Sequence, residues 1–508
     1  MKKLYYIFIA IVTLTIASSC SNFNDLNTNP DAATTVTPEM LATGVMKSAF
    51  RFWNPNPTDF ATGNLWCHHT ANANGTPNPY EYFYSYWPYG GFDSYTNLTN
   101  LKRMVEFSKG TKYESSFKGL ALFMKAWYGF QMTLDMGDIP YSETGQAEDG
   151  ITRPKYDKQA DVFVSILNDL KSAEADFAAG TNFGGDIMYN GDVTKWRKLC
   201  NTMQLKVLQT ISKKITPDQK ARFAAIVSAG NLMVDNSDNF QLVYTSAIGT
   251  NHPFWSGETN RTYVVLSKLV VDNLKALNDR RLFYFADPAP ALIASGKLEN
   301  DFNAYEGANT SLSSDAIALN NQQGNYSLIN LRYTKDKAGD PMLKLTYAEQ
   351  CFIIAEAIEE GWVTGNAKDY YESGVKSMLK LFMNLPTTAT HGMSINQAYI
   401  DNYFTGAAAY ATSGTKTDRL HQIWIQRWLI DFFQGNGLNY PQILRTGYPV
   451  LPLDPATSMN PDDKTIYPKR WKYPTSEQVS NPDNYKKAID EQYGGYDGIN
   501  QIPWWLKE

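Results

Sequence analysis

A chain of 508 residues with 43% hydrophobic and 19% charged residues can bury a sizeable core, in one large domain or several. Its formal net charge of −5 excludes the basic footprint of a nucleic-acid binder and the polybasic face of a protein held electrostatically at a membrane. Aromatic residues make up 14%, and long stretches of Asn, Gly, Pro, Ser and Thr separate the apolar segments; loops of Tyr, Trp and Asn suit a surface site for a polar ligand.

The N-terminus opens with Lys2 and Lys3, then an almost wholly apolar run from Leu4 to Ala17, then Ser18, Ser19 and Cys20. The run is short for a transmembrane helix and has the layout of a secretory signal. Small residues ending in a cysteine resemble a bacterial lipobox, with Ala17 where Leu is usual. The expectation is a signal peptide over 1–19, a lipid-bearing Cys20 and a polar tether over 20–37 that holds a single domain, 38–508, off the membrane. No later segment reaches the apolar length of a bilayer span. Among the other cysteines, Cys67, Cys200 and Cys351 form an odd, widely spaced set with no metal spacing; Cys200 and Cys351 lie in helical patterns and read as buried thiols.

The periodic segments are mostly helical. Phe117, Leu120, Ala121, Met124, Trp127, Tyr128, Gln131 and Leu134 share one face, and Pro140 ends that segment. Phe163 to Phe177 gives a second helix stopped by Gly180; Asp192 caps a third, through Ile211; a fourth runs from Pro217 to near Gly230. In the second half, Tyr347 to Trp362 lines a helix closed by Gly365, and Tyr371 to Phe382 its partner before Pro386. Ile395–Phe404 and Leu420–Phe433 make another pair, ended by Gly435. These read as antiparallel helix pairs, the build of a helical repeat array. Irregular tracts of roughly 53–100, 236–262 and 284–345, and from 436 onward, interrupt the pairs.

Catalytic signatures are absent. The five histidines, His68, His69, His252, His391 and His421, show no metal spacing beyond the adjacent pair, and no phosphate loop or nucleophile elbow exists. Asp235 and Asp238 resemble the start of a calcium loop that lacks its closing glutamate. Asp135, Asp138, Glu143, Glu148 and Asp149 cluster after a helix, but Gly137, Pro140 and Gly145 mark a turn there. The expectation is a binding protein without cofactor or metal.

Several blocks in order resemble the SusD/RagB-type lipoproteins. GDIPYSETG (Gly137 to Gly145) is similar to a G-D-x-P-Y-S-E signature, with Met136 where an aromatic is frequent. YAEQCFIIAEAIEEGW (Tyr347 to Trp362) resembles the family's A-E-x-x-F-x-x-A-E helix. The R-T-G-Y-P block recurs at Arg445 to Pro449, with Leu438 and Tyr440 in place of Glu and Trp, and the tail from Tyr467 to Tyr485 matches too. The resemblance covers nearly the whole mature chain. It implies a mostly α, tetratricopeptide-like helix-pair scaffold with long irregular loop excursions. It also implies an outer-membrane lipoprotein facing the cell exterior, capping a SusC-like TonB-dependent transporter and binding oligosaccharide; peptide capture, or a transporter partner with no ligand of its own, are the alternatives.

The signature residues themselves, Asp138, Pro140, Tyr141, Arg445, Thr446, Gly447 and Arg470, read as joints of the scaffold, because ligands differ where joints must not. Ligand contacts are expected in the aromatic loops. Sugar C–H faces stack on Trp and Tyr while polar side chains take the hydroxyls. The first excursion carries Trp66, His68, His69, Asn72, Asn74, Tyr80, Tyr82, Tyr84, Tyr86, Trp87 and Tyr89; the second carries Asn251, His252, Trp255, Asn260 and Arg261. From these, Trp66, His68, Tyr84, Tyr86, Trp87, Tyr89, Asn251, Trp255 and Arg261 are the expected ligand residues, and Cys20 the lipidation site.

Overall fold

A computed structural model of the protein describes residues 35–50, 62–75, 89–255, 261–434 and 439–508. The signal peptide, Cys20 and most of the tether therefore lie outside the described residues, as do Tyr84, Tyr86 and Trp87.

The first half is a stack of helices. Helix α1 (Pro38–Ala49) begins where Thr37 caps Met40 and Pro38 occupies the first turn. It packs on α2 (Asn97–Ser108), and α2 on α3 (Glu114–Met136). Helix α3 has 23 residues and is apolar on more than one face because neighbours cover it on several sides. It stops at Gly137, whose φ of 106° suits only glycine. The following turn folds back so closely that a Cβ on Gly129 would lie 2.3 Å from the Tyr141 ring. Helices α4 (Gln159–Ala179), α5 (Val193–Thr210) and α6 (Pro217–Ala229) follow. The expected caps are present: Gly180 ends α4, Asp192 accepts from the Thr194 N–H at 2.9 Å, and Gly230 is left-handed after α6.

The second half holds α7 (Lys268–Ala276), α8 (Ser314–Gln322), α9 (Tyr347–Glu359), α10 (Ala367–Met383), α11 (Lys416–Leu429), α12 (Tyr440–Thr446) and α13 (Pro482–Tyr493). Helix α9 ends earlier than its apolar pattern suggests. Gly361 turns left-handed (φ 72°) and the Trp362 N–H reaches back to the Ala357 carbonyl at 2.8 Å, a Schellman ending that precedes Gly365. The expected 395–404 helix is only Gln397–Asn402 with a following turn. Helices α8 and α13 fall inside tracts that read as irregular.

Among the described residues, two short antiparallel ribbons join distant parts of the chain. Strand β1 (Thr70–Asn72) pairs with β3 (Val264–Leu266), and β2 (Phe240–Leu242) pairs with β4 (Met342–Leu345).

Helix α9 lies between the two main cores. Its Ile353, Ile354 and Ala357 join the core of α1 to α6, while Ala348, Phe352 and Ala355 join the core of α7 and α10 to α12. A third stripe carries two buried carboxylates, Glu349 and Glu356, one heptad apart. Glu349 accepts from Arg427 of α11 at 2.8 Å and Lys206 of α5 at 2.9 Å. Burial pushes its carboxyl up, but those two cations outweigh burial and hold it below the usual range. Glu356 takes Arg445 of α12 in two-pronged fashion (2.6 and 2.9 Å) and also accepts from Gln209 and Trp424. Gln442 accepts from both arginines.

The tail closes the other end of α3. Arg470 donates to the Met136 carbonyl at 3.0 Å and to Asp497 at 2.5 Å, with the Tyr493 ring 4.3 Å away. The Tyr493 hydroxyl donates to the Met136 carbonyl, the Tyr473 hydroxyl to the Asp138 carbonyl, and Gln492 accepts from the Asp138 N–H. The signature residues are thus joints, as the sequence reading holds.

Removing one partner of such a buried pair strands the other. Glu356→Ala is expected to cost about 3–5 kcal/mol of unfolding free energy, read from urea denaturation by circular dichroism. A loss under about 1 kcal/mol, the size of a surface pair, would show that α12 is not held this way.

Candidate ligand-binding site

The β1–β3 ribbon brings the roots of the two aromatic excursions together. Its register sets Thr70 opposite Leu266 and Asn72 opposite Val264, and the Ala73 N–H extends it to the Tyr263 carbonyl at 2.7 Å. The chain leaves β1 toward residue 76 and arrives at β3 from residue 261 at the same end of the ribbon. That end presents Asn72, Asn74, Thr262 and Tyr263, the last 46% exposed. Helix α8 packs on β1, and Asn321 donates to the Thr262 carbonyl at 2.9 Å. Tyr263 escaped the sequence reading: it directly precedes a strand of three apolar residues, and a strand so short gives no alternation to tell an outward ring from an inward one.

The described members of the expected set divide into exposed and engaged. Trp255 is exposed, at 37%. Asn251 is half-buried and donates to the Thr245 carbonyl, closing its own loop. Trp66 and Tyr89 both meet the tail: the Trp66 ring lies 4.6 Å from that of Trp471, and Tyr89 bridges to Lys472 in parallel fashion. His68 is buried, with φ 54° and its Nδ1 2.5 Å from the Thr310 hydroxyl. It lines a shallow surface cleft together with Ser311, Asp454, Thr457, Ser458 and Tyr467. Much of that polar lining bonds within the protein: Thr457 donates to the Ser311 carbonyl, Ser311 to Asn309, and Tyr467 to the Pro452 carbonyl. Arg261 donates to the Ile329 carbonyl and pairs with Asp287, which also meets His391; His391 bridges on to Glu299 at 3.1 Å.

The carboxylates after α3 serve the turn. Asp138 accepts from the Gln159 N–H at the start of α4 (2.7 Å), and burial pushes its carboxyl up to about 6. Glu143 accepts from the Lys155 N–H, and Glu148 pairs with Lys102 and Arg103. Asp238 pairs with Lys198 and accepts from the Val234 N–H, so its oxygens face protein donors. Among the described residues no group of three His, Cys, Asp or Glu side chains could hold a metal ion, and Cys67, Cys200 and Cys351 are buried thiols.

Comparison with known proteins fits this arrangement. A family model described as SusD-like, starch-binding and associating with the outer membrane, matches residues 30–474. The chain belongs to the SusD-like family. A SusD homologue from Bacteroides fragilis has 35% identity and a TM-score of 0.87, covering 93% of this chain and 100% of its own. A second SusD homologue from that species has 30% identity and a TM-score of 0.81 over the same shares. A protein described as chitin-binding aligns at 25% identity with a TM-score of 0.72, again over 93% and 100%. No curated protein sequence matches the chain. The mostly helical scaffold is the SusD-like one. Among the described residues no helix is long and apolar enough to cross a membrane.

The histidines make the stability pH-dependent. Burial pulls His68 and His69 down to about 3 from 6.5, so both are neutral in the folded protein. Below pH 6.5 the unfolded chain binds protons that the folded one refuses, so their contribution falls as pH drops from 6.5 toward 3. His391 acts with opposite sign. Burial lowers its pKa, but Asp287 and Glu299 outweigh burial, so it stabilises below 6.5 and loses that effect as pH rises through its folded value. The His69→Gln variant is expected to lose about 2 kcal/mol less than the parent between pH 7 and 5, measured from urea midpoints. Equal slopes would mean that His69 is not held neutral.

Proposed function

We propose that the protein is a lipoprotein, anchored through Cys20 at the outer face of the outer membrane, that captures an oligosaccharide and passes it to a SusC-like TonB-dependent transporter. The observation that carries this reading is the ribbon that roots both aromatic excursions at one end, next to exposed Tyr263, while the scaffold's polar signature residues are taken up by structural bonds. A large ring beside amide and hydroxyl groups is a surface for sugar: C–H faces lie on the ring and the polar groups take the hydroxyls. The family's description as starch-binding and the chitin-binding relative support a glycan as the cargo. The short apolar N-terminal run ending in Cys20 supports the anchor. Capture without chemistry fits a chain whose clustered carboxylates cap helices and pair with lysine and arginine.

Calorimetric titration of the protein lacking residues 1–20 against maltooligosaccharides, chitooligosaccharides and a peptide library tests the reading. Binding to one glycan class is expected, weakened about tenfold or more in Tyr263→Ala or Trp255→Ala. Binding to peptides alone would replace glycan with peptide, and silence toward both would leave a transporter partner with no ligand of its own. Co-purification with a large β-barrel from outer membranes, abolished in Cys20→Ala, is expected for the anchored complex.

A further inference from the structure

Trp255 sits on a built platform. Its N–H donates to the His252 carbonyl at 3.1 Å, and the His252 N–H donates to the Lys337 carbonyl at 2.8 Å, so main-chain bonds tie the Trp255 loop to the turn at 336–340. The His252 ring packs between Tyr244 (4.9 Å) and Phe254 (4.7 Å), and Phe254 meets Phe433 in the core (5.1 Å). Gly339, at φ 58°, allows the turn to approach: a Cβ there would stand 2.6 Å from the His252 ring. The main chain that carries Trp255 is thus anchored before any ligand arrives, so little backbone freedom is lost when one covers the ring.

Against that ring stands one cation. The Lys337 ammonium lies 5.0 Å from the Trp255 ring centroid and has no carboxylate within 4.0 Å among the described residues. Of the neighbouring acids, Asp340 is paired with Arg332 in two-pronged fashion, and Asp336 turns one oxygen to the Ala338 N–H. His252 adds no charge, since burial pulls it down to about 4. The platform therefore joins an exposed indole to an ammonium that makes no ion pair within 4.0 Å among the described residues.

We infer that this platform selects acidic glycans, with a uronic-acid ring lying on Trp255 and its carboxylate paired to Lys337. The inference rests on glycan capture as proposed above and adds the charge of the sugar. A neutral sugar on the indole offers the ammonium hydroxyl oxygens in place of the water it displaces, whereas a uronate offers a charged acceptor and the stronger, charge-assisted hydrogen bond.

The test titrates the protein lacking residues 1–20 with trigalacturonate, maltotriose and chitotriose at low and high salt. Trigalacturonate is expected to bind most tightly and to weaken with salt. Lys337→Gln should lower its affinity about fivefold and remove the preference for the acidic trimer, while Lys337→Arg should keep the preference. Neutral trimers binding as tightly as trigalacturonate, or a preference unchanged in Lys337→Gln, would overturn the inference and leave glycan capture standing. Absence of binding by all three trimers, together with binding of peptides, would overturn both.

Discussion

The two carboxylates buried on one stripe of α9 hold the molecule together. From Ala348 to Ala357 helix α9 is buried on every side, so that stretch has no solvated face on which to carry charge, yet it carries Glu349 and Glu356. Each is neutralised by an arginine from a later helix, and Glu349 by a lysine from an earlier one. The first core, the second core and the segment leading to the tail meet at this stripe. Apolar contacts alone would let helices slide past one another, since burial is not directional. A two-pronged carboxylate–guanidinium pair fixes both distance and angle.

This explains why the family blocks are the readable part of the sequence. The two glutamates of the A-E-x-x-F-x-x-A-E block and the arginine of the R-T-G-Y-P block are partners of one network, and the G-D-x-P-Y-S-E turn is clasped by the tail block. Long helices with dense apolar faces were equally legible: α5 starts at its Asp192 cap, α6 at Pro217, and α4 and α6 stop at Gly180 and Gly230, whereas α3 stops at Gly137, ahead of the Pro140 that its pattern suggests. Helices with thin buried faces were not. Helix α13 buries only Ala488, Ile489 and Tyr493, and α8 only Ser314, Ile317 and Ala318, too few to set a period. The ribbons, three or four residues a strand, lie below the length at which alternation can be recognised.

The candidate site was legible as a composition and not as a set of contacts. Trp255 reads as a surface ring and is one. Arg261 reads the same way, but its partner Asp287 lies 26 residues further on and no local pattern announces it. His68 looks like a polar loop residue; its burial depends on Thr310 and Tyr467, hundreds of residues away in sequence. Tyr263 became visible only when the pairing of β3 with β1 set which way the chain turns.

The clasp on the end of α3 also bears on the order of events in folding. Arg470 and Met136 are separated by 334 positions, and Tyr493 and Met136 by 357. A chain emerging N-terminus first can wind α3 and stack its neighbours early, because those contacts are local. It cannot clasp the carbonyls of Met136 and Asp138 until Arg470, Tyr473 and Tyr493 have been made. The clasp on this end of α3 therefore closes only when the C-terminal segment joins the helices stacked before it.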